Sequence, residues 1–166
     1  MNKRLLITGA TGALGKALLN QLLTNPNDFI ISAPVRSDDY DSLDLLYPGQ
    51  IVRTIEYTQP DLIFHLAAVF SNDFEESYKV NVVATRLLLE AIETSGAPIR
   101  VVLVGSAAEY GAISANENPI SEDHLLRPVS IYGMTKAWQT ELAYLYASRG
   151  VDVVVARIFN LSGPHL

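Results

Sequence analysis

The sequence predicts an α/β fold: a doubly wound parallel sheet in three layers, with helices on both faces, forming a single domain. Three observations carry this. Short apolar runs alternate with stretches of helical spacing along the chain. The runs are near-continuous in Val, Ile and Leu, as strands buried on both faces require. A glycine-rich turn, Thr8-Gly9-Ala10-Thr11-Gly12-Ala13-Leu14-Gly15, follows the first run and opens the first helical stretch.

The elements follow in order. Leu5-Leu6-Ile7 is the first strand. Leu14, Leu18, Leu19, Leu22 and Leu23 recur at helical spacing, and Asn25-Pro26-Asn27 ends that helix. Phe29-Ile30-Ile31 is a second strand and Ser42-Leu43-Asp44-Leu45 a short third. A helix from about Gln50 to Tyr57 is stopped by Pro60, and Leu62 to Leu66 is the fourth strand. A long helix runs from about Phe74 to Thr94 and ends at Gly96 and Pro98. Val101 to Val104 and Val151 to Ala156 are the fifth and sixth strands, with a helix from about Ile131 to Arg149 between them. The polar segment Ala112 to Arg127 reads as an ordered loop over a site, because a rigid scaffold puts function on its loops. Right-handed crossovers between these strands wind the sheet both ways.

Composition narrows the function. A chain of 166 residues, 49% hydrophobic and 18% charged, is a globular domain with a core and not a disordered segment. A net charge of -6 argues against a nucleic-acid or membrane-surface partner, which a basic patch would mark. With no cysteine there is neither a disulfide framework nor a thiolate zinc site. No apolar run approaches the roughly 20 residues of a membrane span. Leu5 to Ile7 is too short for the core of a signal peptide, so the expected location is cytoplasmic. His65, His124 and His165 lie on different elements without ligand spacing, so no metal site is expected. The acidic loop Asp38, Asp39, Asp41, Asp44 lacks the Gly and Glu of a calcium loop. His65 reads as a satisfied polar group at a strand end, Tyr144 and Tyr146 as packing, and Trp138 as core or interface.

The glycine turn carries chemistry when it sits between a strand and a helix, as here. Gly9 permits the sharp turn, Gly12 lets a pyrophosphate approach the backbone, and Gly15 lets the helix sit close to the sheet. The helix N-terminus then offers free N–H groups and partial positive charge to the phosphates. This is a Rossmann-type arrangement, although the spacing is Gly-x-x-Gly-x-x-Gly. After the second strand, Ser32-Ala33-Pro34-Val35-Arg36 has no carboxylate to hold a ribose 2′-hydroxyl. Arg36 either pairs with a 2′-phosphate, which favours NADP over NAD, or is a solvated surface arginine. Asp44 is placed to accept from an adenine amino group, with Leu45 beside it in the cofactor set.

Tyr132 and Lys136 stand four apart in a helical stretch and share a face. A free tyrosine titrates near about 10, and a neighbouring cation favours the phenolate. Tyr132 can then exchange a proton with a substrate oxygen while hydride moves to or from a nicotinamide, with Lys136 on the nicotinamide ribose. Ser106, ending the fifth strand, can hold the same substrate oxygen. One Tyr-x-x-x-Lys among eight tyrosines arises easily by chance, and this one gains weight from its order after the glycine turn and Ser106.

Together these segments resemble the extended short-chain dehydrogenase/reductase superfamily, in its branch of nucleotide-sugar epimerases, dehydratases and reductases. The resemblance rests on Thr8 to Gly15, His65-Leu66-Ala67-Ala68, Lys79-Val80-Asn81-Val82, Gly105 to Gly111, Tyr132-Gly133-Met134-Thr135-Lys136 and Arg157 to Pro164. It implies that Ser106, Tyr132 and Lys136 are the catalytic triad. It further implies that Leu66, Ala67 and Ala68 line the cofactor, that Asn81 supports the site from its helix, that Ile158 lies near the nicotinamide, and that Asn160 contacts a nucleotide-sugar substrate. It also implies that residues 1–166 are the NAD(P)-binding domain, with the family's C-terminal substrate-binding part absent from this chain, and that a homodimer forms through the helices around 74–94 and 131–149.

Two departures refine the expectation. The family's dehydratases carry acid/base residues one and two places after the catalytic Ser/Thr, where this chain has Ala107 and Ala108. That argues against a dehydratase and leaves a C4 epimerase or a 4-keto-6-deoxy-sugar reductase. Glu109 comes one place later and reads as an ordinary loop carboxylate. The second departure is length, which keeps open a cofactor-binding domain without catalysis. A reductase of a non-sugar carbonyl compound is a third reading, since fold does not fix substrate.

Overall fold

The computed structural model describes residues 2–25, 27–36 and 42–163. Five strands form one parallel sheet: β1 (Lys3–Thr8), β2 (Phe29–Ser32), β3 (Leu62–His65), β4 (Arg100–Ser106) and β5 (Asp152–Ile158), in the order β2-β1-β3-β4-β5. The main helices are α1 (Ala13–Leu22), α2 (Pro48–Thr58), α3 (Phe74–Ser77), α4 (Ala84–Ser95) and α5 (Ile131–Ser148). The doubly wound α/β expectation therefore holds.

The third expected strand does not form. Leu43 is buried in the core, but its N–H bonds to the Val35 carbonyl, and the Asp44 N–H bonds to the Gln50 side chain. With its backbone groups taken by a turn and a side chain, the segment has no ladder to join, and β2 is left at the sheet edge. The long helix also differs from its even periodicity. A π turn, Tyr78–Val83, separates α3 from α4, and it carries the fully buried Asn81. Such an insertion redirects side chains and recurs at functional sites.

Register explains the core. Leu6, Ile63, Val101 and Val153 lie side by side across four strands and point the same way. They meet Ile51 and Ile55 of α2, Leu88, Leu89 and Ile92 of α4, and Tyr146 of α5. The row facing the other way is Ile7, Phe64, Val102 and Val154. The crossover from β1 to β2 runs across the sheet in the direction opposite to those from β2 to β3, β3 to β4 and β4 to β5, so right-handedness puts α1 on this second face. Burial thins across it, from Ile7 at 0% exposure to Val154 at 46%.

The chain reverses its winding direction between β1 and β3, so a crevice opens beyond their C-terminal ends. Thr8 and His65 close those two strands and are bonded to each other, with Thr8 Oγ1 2.8 Å from His65 Nδ1.

Candidate active site

The nucleotide end of the crevice is shaped by backbone. Gly9 turns the chain at φ 72°, and a Cβ there would lie 2.5 Å from the Ala67 nitrogen. Gly15 is needed for a contact other than the expected one. A Cβ on it would lie 2.3 Å from the Gly9 carbonyl oxygen, so the helix rests on its own turn instead of on the sheet. A Cβ on Gly12 would touch only the Gly9 carbonyl oxygen, at 3.4 Å, and no side chain caps α1. An uncapped helix start behind an open glycine suits an anionic phosphate.

A cavity of about 190 Å³ continues from this turn and is lined by Gly9, Thr11, Arg36, Asp44, Leu45 and Ala67, all expected from the sequence. Thr8 and Ala10 of the turn also line it, as do Pro34, Val35, Leu43, Leu46, Val80 and Ala84, which were not foreseen. Their signal was absent because apolar residues after a strand or within a helix look like any other core residue. Arg36 is bound to Asp44, Nε to Oδ2 at 3.1 Å, and Asp44 also accepts from the Leu46 N–H at 2.9 Å. Asp38, Asp39 and Asp41 lie outside the described residues.

The end of the crevice at β4 is shaped by side chains. Ser106 closes β4 and begins a 3₁₀ turn, Ala107–Glu109. Its Oγ accepts from the Ala108 N–H at 3.2 Å, which leaves its own proton to donate elsewhere. Tyr132 and Lys136 occupy the first turns of α5, which starts at Ser130, whose hydroxyl accepts from the Gly133 N–H at 3.0 Å. A Cβ on Gly133 would lie 2.4 Å from the Ala108 carbonyl oxygen, so the Tyr132 turn and the Ser106 turn are in direct contact. The Tyr132 ring meets Phe70 edge-on, with centroids 4.9 Å apart. Ile158 pairs in register with Ser106, and Asn160 lies exposed just past β5.

Lys136 is almost wholly buried, and its ammonium donates to the Val104 carbonyl at 2.6 Å and to the Gln139 amide oxygen. Burial draws its pKa down to about 8, against the opposing pull of the Glu109 carboxylate. A chain of polar groups runs on from it. Gln139 Nε2 donates to Thr85 Oγ1 at 2.6 Å, and His65 Nε2 lies 3.0 Å from the same oxygen. Because the Thr85 hydroxyl donates to the Asn81 carbonyl at 2.7 Å, it must accept from His65. The His65 proton is thereby assigned to Nε2, and its Nδ1 accepts from Thr8. Burial, with Lys136 nearby, holds the His65 pKa down to about 3, so the ring is neutral. His65 is the satisfied polar group that its position suggested.

Asn81 braces both ends. Its side chain accepts from the Val69 N–H at 2.9 Å and donates to the Val69 carbonyl at 3.1 Å and to Thr135 Oγ1 at 3.0 Å. This fastens the segment after Leu66-Ala67-Ala68 to the residue next to Lys136. Glu109 corrects the sequence reading. It is not an ordinary loop carboxylate but fully buried, and it is ion-paired to Arg157 Nε at 2.9 Å. Trp138 is 38% exposed and belongs to an aromatic cluster with Phe74 and Tyr78.

A glycine turn at the β1/β3 crevice, with Ser, Tyr and Lys gathered at the end of β4, can be compared with known proteins. The model for the NAD dependent epimerase/dehydratase family matches residues 5–165. The chain belongs to this family. Among the family's curated members, it is 32% identical to GDP-6-deoxy-D-talose 4-dehydrogenase of Aggregatibacter actinomycetemcomitans, over 96% of this chain and 53% of that protein. It is also 32% identical to D-erythronate dehydrogenase of Cupriavidus necator, over 95% of this chain and 55% of that protein. The structure of RMD from Pseudomonas aeruginosa complexed with NADPH superposes with a TM-score of 0.83 at 27% identity, covering 96% of this chain and 53% of that one. The chain thus spans about half the length of the curated relatives it matches. Among the described residues, no helix is long and apolar enough to cross a membrane, and no group of His, Asp or Glu could hold a metal ion.

Proposed function

We propose that residues 1–166 form the NAD(P)-binding domain of a cytoplasmic oxidoreductase acting at C4 of a nucleotide-activated sugar, as an epimerase or a 4-keto-6-deoxy-sugar reductase. One observation carries the reading: the Ser106 turn and the Tyr132–Lys136 turn are in contact at the C-terminal edge of the sheet that also holds the nucleotide cavity.

The residues present fit a dinucleotide. The uncapped start of α1 and Gly12 would take the pyrophosphate. The cavity from Gly9 to Asp44 would take the adenosine, with Arg36 at its rim. The bound nicotinamide supplies hydride exchange. Lys136 would reach the nicotinamide ribose and favour the Tyr132 phenolate. Tyr132 would accept a proton from, or return it to, the substrate oxygen at C4, while the Ser106 hydroxyl donates to that oxygen and orients it. Leu66, Ala68 and Ile158 would border the cofactor and Asn160 the substrate. Ala107 and Ala108 offer no acid or base for eliminating water, which weighs against a dehydratase.

Calorimetric titration with NADPH and NADH tests the cofactor site. A preference for NADPH supports Arg36 on the 2′-phosphate and the reductase, and a preference for NADH supports the epimerase. Binding of neither removes the reading. Replacing Tyr132 by Phe should abolish turnover and spare cofactor binding, and surviving turnover rules out its role. Cofactor binding without turnover by the 166-residue chain would assign it cofactor binding alone.

The likeness to D-erythronate dehydrogenase favours a second reading, a hydroxy-acid substrate without a nucleotide. Product assays with a nucleotide sugar and with D-erythronate separate the two. A homodimer is also part of the proposal. Its support is the largely apolar groove lined by Tyr78, Val82, Trp138, Glu141, Leu142 and Leu145, and a monomeric sedimentation coefficient would exclude it.

A further inference from the structure

The carboxylate of Glu109 is the most deeply buried negative charge among the described residues, and the chemistry proposed above does not use it. It accepts three hydrogen bonds: from the Ser106 N–H at 2.7 Å, from Thr140 Oγ1 at 2.7 Å and from Arg157 Nε at 2.9 Å. Arg157, whose side chain is 10% exposed, spends its remaining donors on the Tyr110 hydroxyl at 3.0 Å, the Glu122 carbonyl at 2.9 Å and the Tyr144 hydroxyl at 3.1 Å. The pair therefore ties the Ser106 turn to α5, to β5 and to the polar loop. Glycine at 105 makes room for it: a Cβ there would lie 2.6 Å from Glu109 Oε1 and 2.9 Å from Arg157 Cγ.

Two geometric facts point this carboxylate at the chemistry. Glu109 and Ser106 close a capping box, in which Oε1 holds the Ser106 N–H while Ser106 Oγ takes the Ala108 N–H. The serine is fixed by backbone and side chain at once, with its hydroxyl proton left over. Thr140, which donates to Glu109, is one helical turn beyond Lys136, which donates to the Val104 carbonyl two residues before Ser106. Residues four apart on a helix are neighbours on one face, so carboxylate and ammonium bracket the same stretch of β4.

We propose that Glu109, clamped by Arg157, is a positioning residue: it aims the Ser106 hydroxyl and supplies the counter-charge that keeps Lys136 an ammonium inside the protein. This rests on the reading of Ser106 and Lys136 given above. A pair with only a structural role would need neither the bond to Ser106 nor a place one turn from Lys136. The ionisable groups set around Lys136 are Glu109 from the turn after β4, Arg157 of β5 behind it, His65 of β3, and Tyr132 on α5. Of these, Glu109 is the one that raises the Lys136 pKa against burial. An uncompensated ammonium in this place would hold its proton less tightly.

The test is an NMR titration of the cofactor-free 166-residue protein labelled at lysine and at backbone nitrogen, which is tractable because the chain has four lysines. In Glu109→Gln the Lys136 midpoint should fall by about one pH unit, and the Ser106 amide proton should move upfield as its carboxylate acceptor is lost. A folded variant with an unmoved Lys136 midpoint overturns the proposal, whatever its melting temperature. If the unpaired Arg157 prevents folding, the double variant Glu109→Gln, Arg157→Met removes both charges, a change that cores often tolerate. Because the double variant removes opposite charges together, it is read at the Ser106 amide proton, which the proposal expects to move upfield in a folded protein. An unmoved Ser106 amide, or failure to fold, makes the pair a structural element and overturns the proposal. Failure of the wild-type protein to bind NADPH or NADH would instead sink the functional reading and leave the Glu109 result standing.

Discussion

The proposed nucleotide end and the proposed catalytic end share one sheet edge but are built from different material. At the nucleotide end the shape comes from missing side chains: Gly9 and Gly15 leave room for backbone to meet backbone, and Gly12 leaves room for a ligand. At the catalytic end it comes from buried polar side chains that satisfy one another, from Lys136 through Gln139, Thr85 and His65 to Thr8. At Gly9 and Gly15 the first design tolerates no added atom, and the second tolerates no removed partner. Overlap with backbone makes the first strict, and low dielectric the second, since a buried polar group costs most when its partner is gone.

Four substitutions would break or sharpen this contrast. The largest effect on stability should come from Gly15→Val, which forces a branched side chain into the 2.3 Å space before the Gly9 carbonyl. A loss of about 3 kcal/mol is expected in urea unfolding, because the backbone of the turn cannot yield. A loss near zero would mean that α1 is free to move away from its turn. Next, Asn81→Ala should cost about 2 kcal/mol, since it orphans the Val69 N–H and carbonyl. Chemical denaturation reads this directly, and an unchanged midpoint would show that water replaces the amide.

The third concerns pH. The unfolded imidazole of His65, near 6.5, takes up a proton that the folded ring, near 3, refuses. Stability therefore falls as pH drops below 6.5 through the window down to about 3, and by pH 5 the loss is about 2 kcal/mol. His65→Gln should flatten this acid limb in thermal melts recorded from pH 7 to 5. An equally steep limb in the variant would assign it to other groups. The smallest effect on stability belongs to Gly12→Ala, under about 0.5 kcal/mol, because only one ordinary contact awaits the new methyl. Its consequence should appear as weaker NADPH binding in calorimetry. Unchanged affinity would remove Gly12 from the phosphate contact.

The difference between the ends also explains what could be read in advance. Glycine spacing is written along a few consecutive residues, so the phosphate turn was visible at once. Tyr132 and Lys136 were visible for the same reason, being one helical turn apart. Glu109 was not, because its partners Thr140 and Arg157 are 31 and 48 residues away. In the sequence it looks like any carboxylate in a loop. The short third strand failed for a related reason: Ser42 to Leu45 has a strand's alternation, and only the bonds to Val35 and Gln50 decide against it. The even spacing of the long helix likewise concealed the π turn that aims Asn81 at Val69.

By itself the sequence determined the alternation of strands and helices, the glycine turn at the end of β1, and the order of Ser106, Tyr132 and Lys136 along the chain. Periodicity and local turn chemistry are properties of neighbouring residues, and they survive without knowledge of the fold. Only the tertiary structure decided that β2 is an edge strand, that Lys136 is buried against Val104, and that Glu109 and Arg157 pair inside the protein. Those outcomes depend on which distant groups the packed sheet brings within hydrogen-bond reach, and on burial making each such contact obligatory.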